Sequence, residues 1–238
     1  MIQNAANLGF ISNSNGIDNE IEILSAQDLA NQAVVDMKCY VNYYHKGTFR
    51  DQLVYKEQEV SVDLDLAHLK KLNAPIKLKI EKDGNQYLVT GSYYIPVDAF
   101  SSQKEPVKIE KTLASLPASI NTRVGTLHFT QNGKYALKDG ESLKVIIVSP
   151  EMAAKGYTKA LAVSQTSKTT TIAELVLKDE DPQRSIDYLN TLIKVYNRQA
   201  NEDKNEISFR TEQFINQRLE KINNETESPS IAISISDT

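Results

Sequence analysis

The segment from 183 to 227 contains no glycine and no proline, and this is the strongest constraint on the fold. Both residue types commonly end helices, so their absence favours an uninterrupted one. A continuous helix of about 40 residues is therefore predicted, longer than most helices of globular proteins. Its apolar side chains recur every seven residues, which is typical of a helix that packs against another helix. They are Ile186, Ile193, Ala200, Ile207 and Phe214, joined by Leu189, Tyr196, Ile215 and Ile222.

This helix begins after three consecutive acidic residues, in the sequence DEDPQR. Such acids can hold a metal ion, but a metal site needs further ligands and the sequence shows none converging here. Asp181 suits the N-cap position and Pro182 the first helical position. The Asp181 carboxylate would accept a backbone N–H in the first turn and oppose the positive end of the helix dipole. We interpret the acids as a structural helix start without a catalytic role.

A polar stretch, NEDKNE, interrupts the apolar spacing near the middle of the predicted helix. Polar side chains at this point are expected to face solvent or a partner. Four of them define a candidate oligomer or partner surface: Asn201, Glu202, Lys204 and Asn205.

The composition is typical of a globular protein and argues against some functions. Among 238 residues, 40% are hydrophobic and 24% are charged, which suits a chain with a buried core. The formal net charge of −4 gives no excess of cations to neutralise phosphates, so nucleic acid is not an expected partner. Cys39 is the single cysteine, which excludes an intrachain disulfide. No apolar run in the sequence approaches the ~20 residues of a membrane-spanning helix.

The segment from about 40 to 148 is rich in β-branched and aromatic residues, which favour strands. Alternation at 76–80, a turn at 83–85 and a second alternation at 87–95 predict a hairpin. Further strands are predicted near 107–113, near 125–130 and within 135–150. Helices flank this segment, so we predict a mixed α+β fold. It has a central β-sheet with packed helices and one long C-terminal helix followed by a returning strand.

Two shorter helices and one further strand are also predicted. Ser25 and Asp28 resemble a capping box, which places a helix at about 25–38. Ser149 as N-cap predicts a second helix that ends near residue 159. The strand around 172–178 has apolar residues on both sides, so it is expected inside a sheet.

The histidines and the cysteine form no recognisable catalytic or metal-binding motif. His45, His68 and His128 do not share the spacing of metal ligands, and we interpret them as structural or surface residues. Cys39 is interpreted as a small buried apolar residue rather than a nucleophile.

Two acids and two tyrosine pairs offer weaker functional candidates. Asp63 and Asp65 would share one side of a strand, where a cation can bridge them, although a solvated strand face is the simpler interpretation. The tyrosine pairs at 43–44 and 93–94 can offer stacking faces to a sugar. We expect instead that one ring of each pair packs inward while the other lies at the surface. No catalytic, cofactor-binding or metal-binding residue is predicted.

The sequence IAELVLKDEDPQRSIDYLNTLIKVYN resembles the strand, Asp-Pro junction and helix of the polysaccharide chain-length determinant family, the Wzz-type domains. GIDNEIEILSAQDLANQAVVDMKCYVNYY resembles an early segment of that family, and ISFRTEQFINQRLEKIN resembles the start of its long helix. Within the family, the chain is most similar to the extracytoplasmic region of Bacteroides-type capsular or exopolysaccharide tyrosine-protein kinases. The resemblance covers residues 15–223, and no motif in it is catalytic.

The resemblance implies one extracytoplasmic domain over residues 1–238, with a strand-rich insertion at about 40–148. It places this domain at the periplasmic face of the bacterial inner membrane. Family members add membrane helices and, in the kinase branch, a cytoplasmic ATP-binding domain. This chain contains neither, so we expect an extracytoplasmic fragment in which Met1 is an added start.

The end of the chain departs from the family pattern. In the family, the long helix continues into a helical hairpin before a strand returns towards the membrane. Here we expect the hairpin to be absent near 224–229, with a returning strand at 231–236 that pairs with 170–177.

The function implied by the resemblance is a non-catalytic domain of a polysaccharide co-polymerase, which helps set polymer chain length in capsular or exopolysaccharide biosynthesis. The implied partners are copies of the full-length protein, the polymerase and the nascent glycan. Membrane contact would occur only through helices outside this chain, and no cofactor is implied. Two alternatives stay open: a carbohydrate-binding module that uses the tyrosines, and a metal-dependent hydrolase that uses Asp63, Asp65 and the acids at 179–181.

Overall fold

The computed structural model describes residues 17–98, 101–167 and 171–226, with side chains placed as far as residue 222. The chain divides into two compact units, with the boundary between Val195 and Tyr196.

The fold is α+β, as predicted. The helices are α1 (17–25), α2 (Gln27–Met37), α3 (Leu66–Leu69), α4 (Pro150–Ala160) and α5 (Pro182–Thr226). The strands are β1 (Val41–His45), β2 (Gln52–Val54), β3 (Val60–Asp63), β4 (Ile76–Asp83), β5 (Gln86–Tyr93), β6 (Val107–Leu113), β7 (Ala118–Thr122), β8 (Gly125–Gln131), β9 (Ser142–Ile147), β10 (Leu161–Gln165) and β11 (Ala173–Leu177).

The largest sheet contains six antiparallel strands in the order β2-β1-β9-β4-β5-β6. It includes the predicted hairpin of β4 and β5, whose turn contains Gly84 at a φ of 58°. That left-handed conformation favours glycine, which explains the residue at this position. Along β4, Ile76 is buried and Lys77 is exposed, and this alternation continues as far as Ile80. One face of the sheet therefore belongs to the core, while the other carries polar side chains.

A three-stranded antiparallel sheet, in the order β3-β8-β7, supplies more of the core. Leu127 and Phe129 of β8 are fully buried. Two tyrosines of the larger sheet bond to it. The Tyr43 hydroxyl contacts the backbone of Val62, and the Tyr93 hydroxyl accepts the N–H of Arg123 at 3.2 Å.

The predicted start of α4 is correct, whereas that of α2 is not. Helix α4 begins as expected, since the Ser149 hydroxyl accepts the N–H of Met152 at 3.3 Å. The capping box at Ser25 is wrong. Ser25 closes α1 by donating to the Ile21 carbonyl at 2.7 Å, and Ala26 takes the N-cap position of α2 without a side-chain bond. Ser25 is itself part of α1, whereas an N-cap residue needs the extended backbone that Ala26 has.

The strand near 172–178 exists as β11, but its predicted position inside a sheet is not seen. Among the described residues it pairs only with β10, in a two-stranded antiparallel ribbon. Its side chains alternate between half-buried and exposed, as expected for a strand with few neighbours. The proposed returning strand at 231–236 lies outside the described residues.

Helix α5 confirms the predicted long helix and contains 45 residues. In the unit that ends at Val195, the helix buries Tyr188, Leu192 and Val195 completely. In the unit that starts at Tyr196, every described residue from 201 to 222 is exposed. None of the helices formed by the described residues is both long and apolar enough to cross a membrane.

Candidate functional site

The junction between β11 and α5 holds the acids that the sequence analysis singled out. The Asp181 carboxylate accepts the N–H of Arg184 at 2.8 Å, and Pro182 occupies the first helical position. This is the cap bond that the sequence predicts, and such bonds contribute about 1 kcal/mol. Asp179 accepts the N–H of Glu180 at 2.6 Å. Two of the three acids therefore order the backbone where the chain leaves the strand.

Arg184 connects this junction to the large sheet. Its Nε donates to Oδ2 of Asp179 at 2.7 Å, Nη2 bonds Oδ1 of the same carboxylate, and Nη1 donates to Oδ1 of Asn42 at 2.8 Å. The side chains of Asp179 and Arg184 are 3% and 14% exposed. Burial lowers the pKa of Arg184 more than any other single cause, but the hydrogen bond to Asp179, the charge of that carboxylate and the nearby Tyr157 and Cys39 together outweigh burial, so the net pKa rises. The guanidinium stays charged and fixes the start of α5 against β1.

Asp187, one turn further along α5, makes a second connection. Its carboxylate accepts from the Tyr55 hydroxyl at 2.7 Å, from Lys56 Nζ at 2.5 Å and from Gln183 Nε2 at 3.0 Å. The bonds from Lys56, Tyr55 and Gln183 lower the pKa of Asp187 to about 2. Tyr55 and Lys56, which directly follow β2, thus hold α5 through the single carboxylate of Asp187.

Two tyrosines stack beneath these polar contacts. The rings of Tyr157 in α4 and Tyr188 in α5 are nearly parallel, with centroids 4.0 Å apart. Tyr188 is fully buried, and its hydroxyl has no hydrogen-bond partner among the described residues. Burial raises the pKa of both phenols and of the nearby Cys39 thiol. The single cysteine is therefore a protonated, buried residue, which agrees with its interpretation as a core side chain.

Clefts of about 820 Å³ and 530 Å³ adjoin Arg184. The larger one is lined by parts of β1, β2 and β3, and the smaller one by α4 and the start of α5. The charged side chains that line them are largely held in ion pairs: Lys38 with Asp63, Lys56 with Asp187, and Arg184 with Asp179. These groups position the helix and leave little free charge for a ligand.

The strand that was predicted to carry both Asp63 and Asp65 ends before Asp65. Strand β3 ends at Asp63, which pairs with Lys38 at 2.7 Å. Asp65 lies in the next element as the N-cap of α3, where it accepts the N–H of His68 at 3.1 Å. An N-cap residue has extended backbone and is followed directly by the helix, so the two acids belong to different elements.

The three histidines lie in separate places. His45 contacts Glu59 at 3.0 Å, His68 contacts Asp65, and His128 bonds the Ser119 hydroxyl at 2.9 Å. Across residues 17–98, 101–167 and 171–226, no three histidine, cysteine or acidic side chains are grouped as a metal site would require.

The tyrosine pairs are arranged as expected. Tyr43 and Tyr93 are buried, with 9% and 4% of their surfaces exposed, and their hydroxyls bond backbone groups. Tyr44 and Tyr94 are half-buried. Only the second ring of each pair is accessible to a ligand.

The candidate partner surface lies in the second unit. Asn201, Glu202, Lys204 and Asn205 are all exposed. Beyond them, α5 presents large apolar side chains that are between 50% and 64% exposed. We call these residues the apolar stripe: Ile207, Phe214, Ile215, Leu219 and Ile222.

Sequence reasoning did not identify Asn42, Asp187 or Tyr188 as contacts of the junction. Arg184 offered a usable signal, because a cation in the first turn of a helix opposes the helix dipole. An arginine in this unfavourable position indicates that a specific anion pairs with it. Asp179, five residues earlier in the sequence, is the anion in the structure.

The sequence matches no protein-family model, and no curated protein sequence matches it.

Proposed function

We propose that this chain is the non-catalytic periplasmic domain of a polysaccharide co-polymerase at the bacterial inner membrane. It helps set polymer chain length in capsular or exopolysaccharide biosynthesis, and it does so as a homo-oligomer of the full-length protein. The polymerase and the nascent glycan are its further partners. The proposed role is that of a scaffold.

The observation that carries the proposal is the 45-residue helix with its exposed apolar stripe. Burying a large apolar side chain completely is worth ~1.5–3 kcal/mol, so covering one that is half-exposed is worth about 1 kcal/mol. The five residues of the stripe would together contribute about 5 kcal/mol on association. Contiguous exposed apolar side chains on a helix commonly mark an interaction surface.

The anchored start of α5 supports the same proposal. Arg184 and Asp187 hold the first turns of the helix to the sheet through charged hydrogen bonds. In a scaffold, the start of such a helix is expected to be held firmly, because movement there would weaken association through the helix. This junction is also the segment with the most specific resemblance to chain-length determinants.

The test is the length distribution of the polysaccharide in cells of the source organism. The gene would be replaced by a version in which Ile207 and Phe214 are both changed to aspartate. We expect altered chain lengths on a gel at unchanged protein abundance, because the charges prevent the stripe from being buried. A matched strain with Phe209→Asp adds a charge to the same helix away from the stripe.

An unchanged length distribution in the double variant would overturn the proposal. An equal change in both strains would show that any added charge on the helix disturbs the system, and it would also contradict the role of the stripe. The metal-dependent hydrolase finds no support in the positions of its residues, since Asp63, Asp65, Asp179 and Asp181 each bond protein groups.

A further inference from the structure

The polar face of the six-stranded sheet, to which Arg184 bonds at Asn42, carries a patch of basic residues in a chain whose net charge is −4. Strand register places its side chains in two rows that cross the strands from β1 to β6. One row contains Asn42, Ile146, Lys77, Ser92 and Lys108. The other contains Tyr44, Lys144, Lys79, Thr90 and Glu110. We call Lys77, Lys79, Lys108 and Lys144 the lysine patch.

The arrangement of the patch is electrostatically unfavourable within the chain itself. Lys79 and Lys144 are directly opposite each other on neighbouring strands. Like charges in this position destabilise a sheet. Each has one carboxylate neighbour, Glu81 for Lys79 and Asp51 for Lys144, and both lysines remain about half-exposed. The neighbours reduce the repulsion but leave both ammonium groups accessible.

The other two lysines of the patch have even less compensation. Lys77 and Lys108 are exposed and form no ion pair with any described residue. Glu110 is the only carboxylate within the two rows, and it lies on the edge strand β6. The acidic residues Glu81 and Asp83 lie further along β4, towards the turn. The basic character is therefore local to one part of the face.

Neutral groups beside the lysines suit a sugar. Tyr44 is the accessible ring of its pair, and it lies next to Lys144 in the same row, with the Lys144 ammonium 5.9 Å from the ring centre. Thr90 and Ser92 of β5 lie opposite Lys79 and Lys77 of β4. Their hydroxyls can donate hydrogen bonds to sugar hydroxyls and accept them. The residues that line a shallow cleft of about 370 Å³ include Tyr44, Lys79, Lys144, Thr90 and Ser92.

We propose that the lysine patch binds an acidic polysaccharide, with the polymer lying across the strands. This inference rests on the proposed function and specifies the class of glycan. Adjacent strands are about 4.8 Å apart, so the four steps from β1 to β6 give a track of roughly 19 Å. Carboxylates of uronic acid residues would pair with the ammonium groups, while Tyr44 stacks on a sugar ring and Thr90 and Ser92 bond hydroxyls.

The rows favour an extended glycan over a membrane or a nucleic acid. Binding to a lipid surface is strengthened by apolar side chains that insert beside the cations, and the two rows together contain one such aliphatic residue, the half-buried Ile146. A nucleic acid strand of this length is bound by several stacking rings, and the patch has Tyr44 alone.

The experiment uses the 238-residue chain and a galacturonate oligomer, with binding measured by titration calorimetry at low and high salt. The variant changes Lys77, Lys79 and Lys144 to glutamine. The matched control makes the same change at the exposed Lys70, Lys71 and Lys155, which lie outside the patch. Thermal unfolding of both proteins verifies that they are folded. Maltohexaose serves as the neutral glycan, with single-stranded DNA and anionic vesicles as other polyanions.

We expect the galacturonate oligomer to bind and maltohexaose not to bind. The patch variant should weaken binding about tenfold, since three partly exposed ion pairs are lost, while the control changes it less than about twofold. High salt should weaken binding to the wild-type protein.

Equal loss in the control, equal binding of DNA, or binding of vesicles but not of the oligomer would each overturn the inference. So would the absence of any binding. These results leave the chain-length experiment on the apolar stripe unaffected, so failure of the glycan site and failure of the proposed function can be told apart.

Discussion

Arg184 and Asp179 form a two-pronged ion pair at the start of α5, with Nε of the arginine 2.7 Å from Oδ2 of the aspartate. Both side chains are nearly buried, and the arginine also holds Asn42. A buried ion pair adds little stability relative to an apolar pair of the same shape. Removing one partner is different, because the remaining charge is left without compensation in a medium of low dielectric constant.

Arg184→Met should therefore reduce the free energy of unfolding by about 3 kcal/mol, because Asp179 loses the cation with which it pairs among the described residues. Urea denaturation monitored by circular dichroism measures this quantity. Arg210→Met is the matched control. Arg210 pairs with Glu206 on an exposed part of the same helix, so the expected loss is below about 0.5 kcal/mol.

The double variant Arg184→Met/Asp179→Leu separates the lost charge from lost packing. It should recover most of the stability, because no unpaired charge remains. A single variant as stable as the wild type, or a double variant as unstable as the single one, would contradict this account of the junction.

Asp187 predicts a specific dependence of stability on acid pH. Its pKa is about 2 in the folded protein and 3.8 for the ordinary carboxyl. A lowered pKa means that the stabilisation is complete above pH ~4 and is lost as the pH falls through ~2. Asp187→Asn should be less stable than the wild type near pH 6, and the difference should shrink between pH ~4 and ~2. Urea denaturation at several pH values measures the difference in the free energy of unfolding between the two proteins. A difference that stays constant between pH ~4 and ~2 contradicts the prediction.

Tyr43→Phe tests the connection between the two larger sheets. The hydroxyl accepts the N–H of Val62 at 2.9 Å and donates to the carbonyl of the same residue at 3.3 Å. Its removal leaves two buried backbone groups without partners and should cost about 1–3 kcal/mol. Tyr44→Phe, at a half-buried neighbour with no hydroxyl bond described, should change stability by less than about 0.5 kcal/mol.

The same tyrosine gives a spectroscopic readout. Burial raises the pKa of Tyr43 to about 12. A raised pKa keeps its contribution complete below pH ~10 and removes it as the pH rises towards ~12. The ultraviolet titration of the folded wild-type protein should contain a phenol that ionises near pH ~12 and is missing in Tyr43→Phe. Loss of this component in Tyr44→Phe instead would show that the wrong phenol is assigned.

Features encoded in short stretches of sequence were predicted well. The Asp181 cap, the Ser149 cap and the β4–β5 turn depend on residues a few positions apart, so spacing alone identifies them. The length of α5 follows from the absence of glycine and proline. Ser25 shows the limit of this approach, because one side chain can serve either of two adjacent helices and the choice depends on which forms the better-packed turn.

Features that join distant segments were not predicted. Asn42 is 142 residues from Arg184 along the chain, and Tyr55 is 132 residues from Asp187. The lysine patch is of the same kind, since Lys79 and Lys144 become neighbours only when β4 and β9 pair. Periodicity locates each strand but carries no information about its neighbour in the sheet.

The apolar stripe predicts self-association through one side of α5. Ile207 and Phe214 are seven residues apart, hence on the same side of the helix, and are 64% and 58% exposed. Changing both to aspartate should abolish association. At concentrations where the wild type is monomeric, the change should leave the thermal unfolding midpoint the same, because neither side chain is buried in the monomer. Phe209, two positions after Ile207, points to the opposite side and is 59% exposed, so Phe209→Asp is the matched control.

Sedimentation velocity over a range of concentrations gives the mass of each protein. The wild type and Phe209→Asp should form species larger than the 26.6 kDa monomer as concentration increases. The Ile207→Asp/Phe214→Asp variant should remain monomeric, because two buried carboxylates per helix cost more than the apolar contacts contribute. A wild type that is monomeric throughout would show that the stripe does not associate in this chain. A control that dissociates like the double variant would show that the helix has no preferred side.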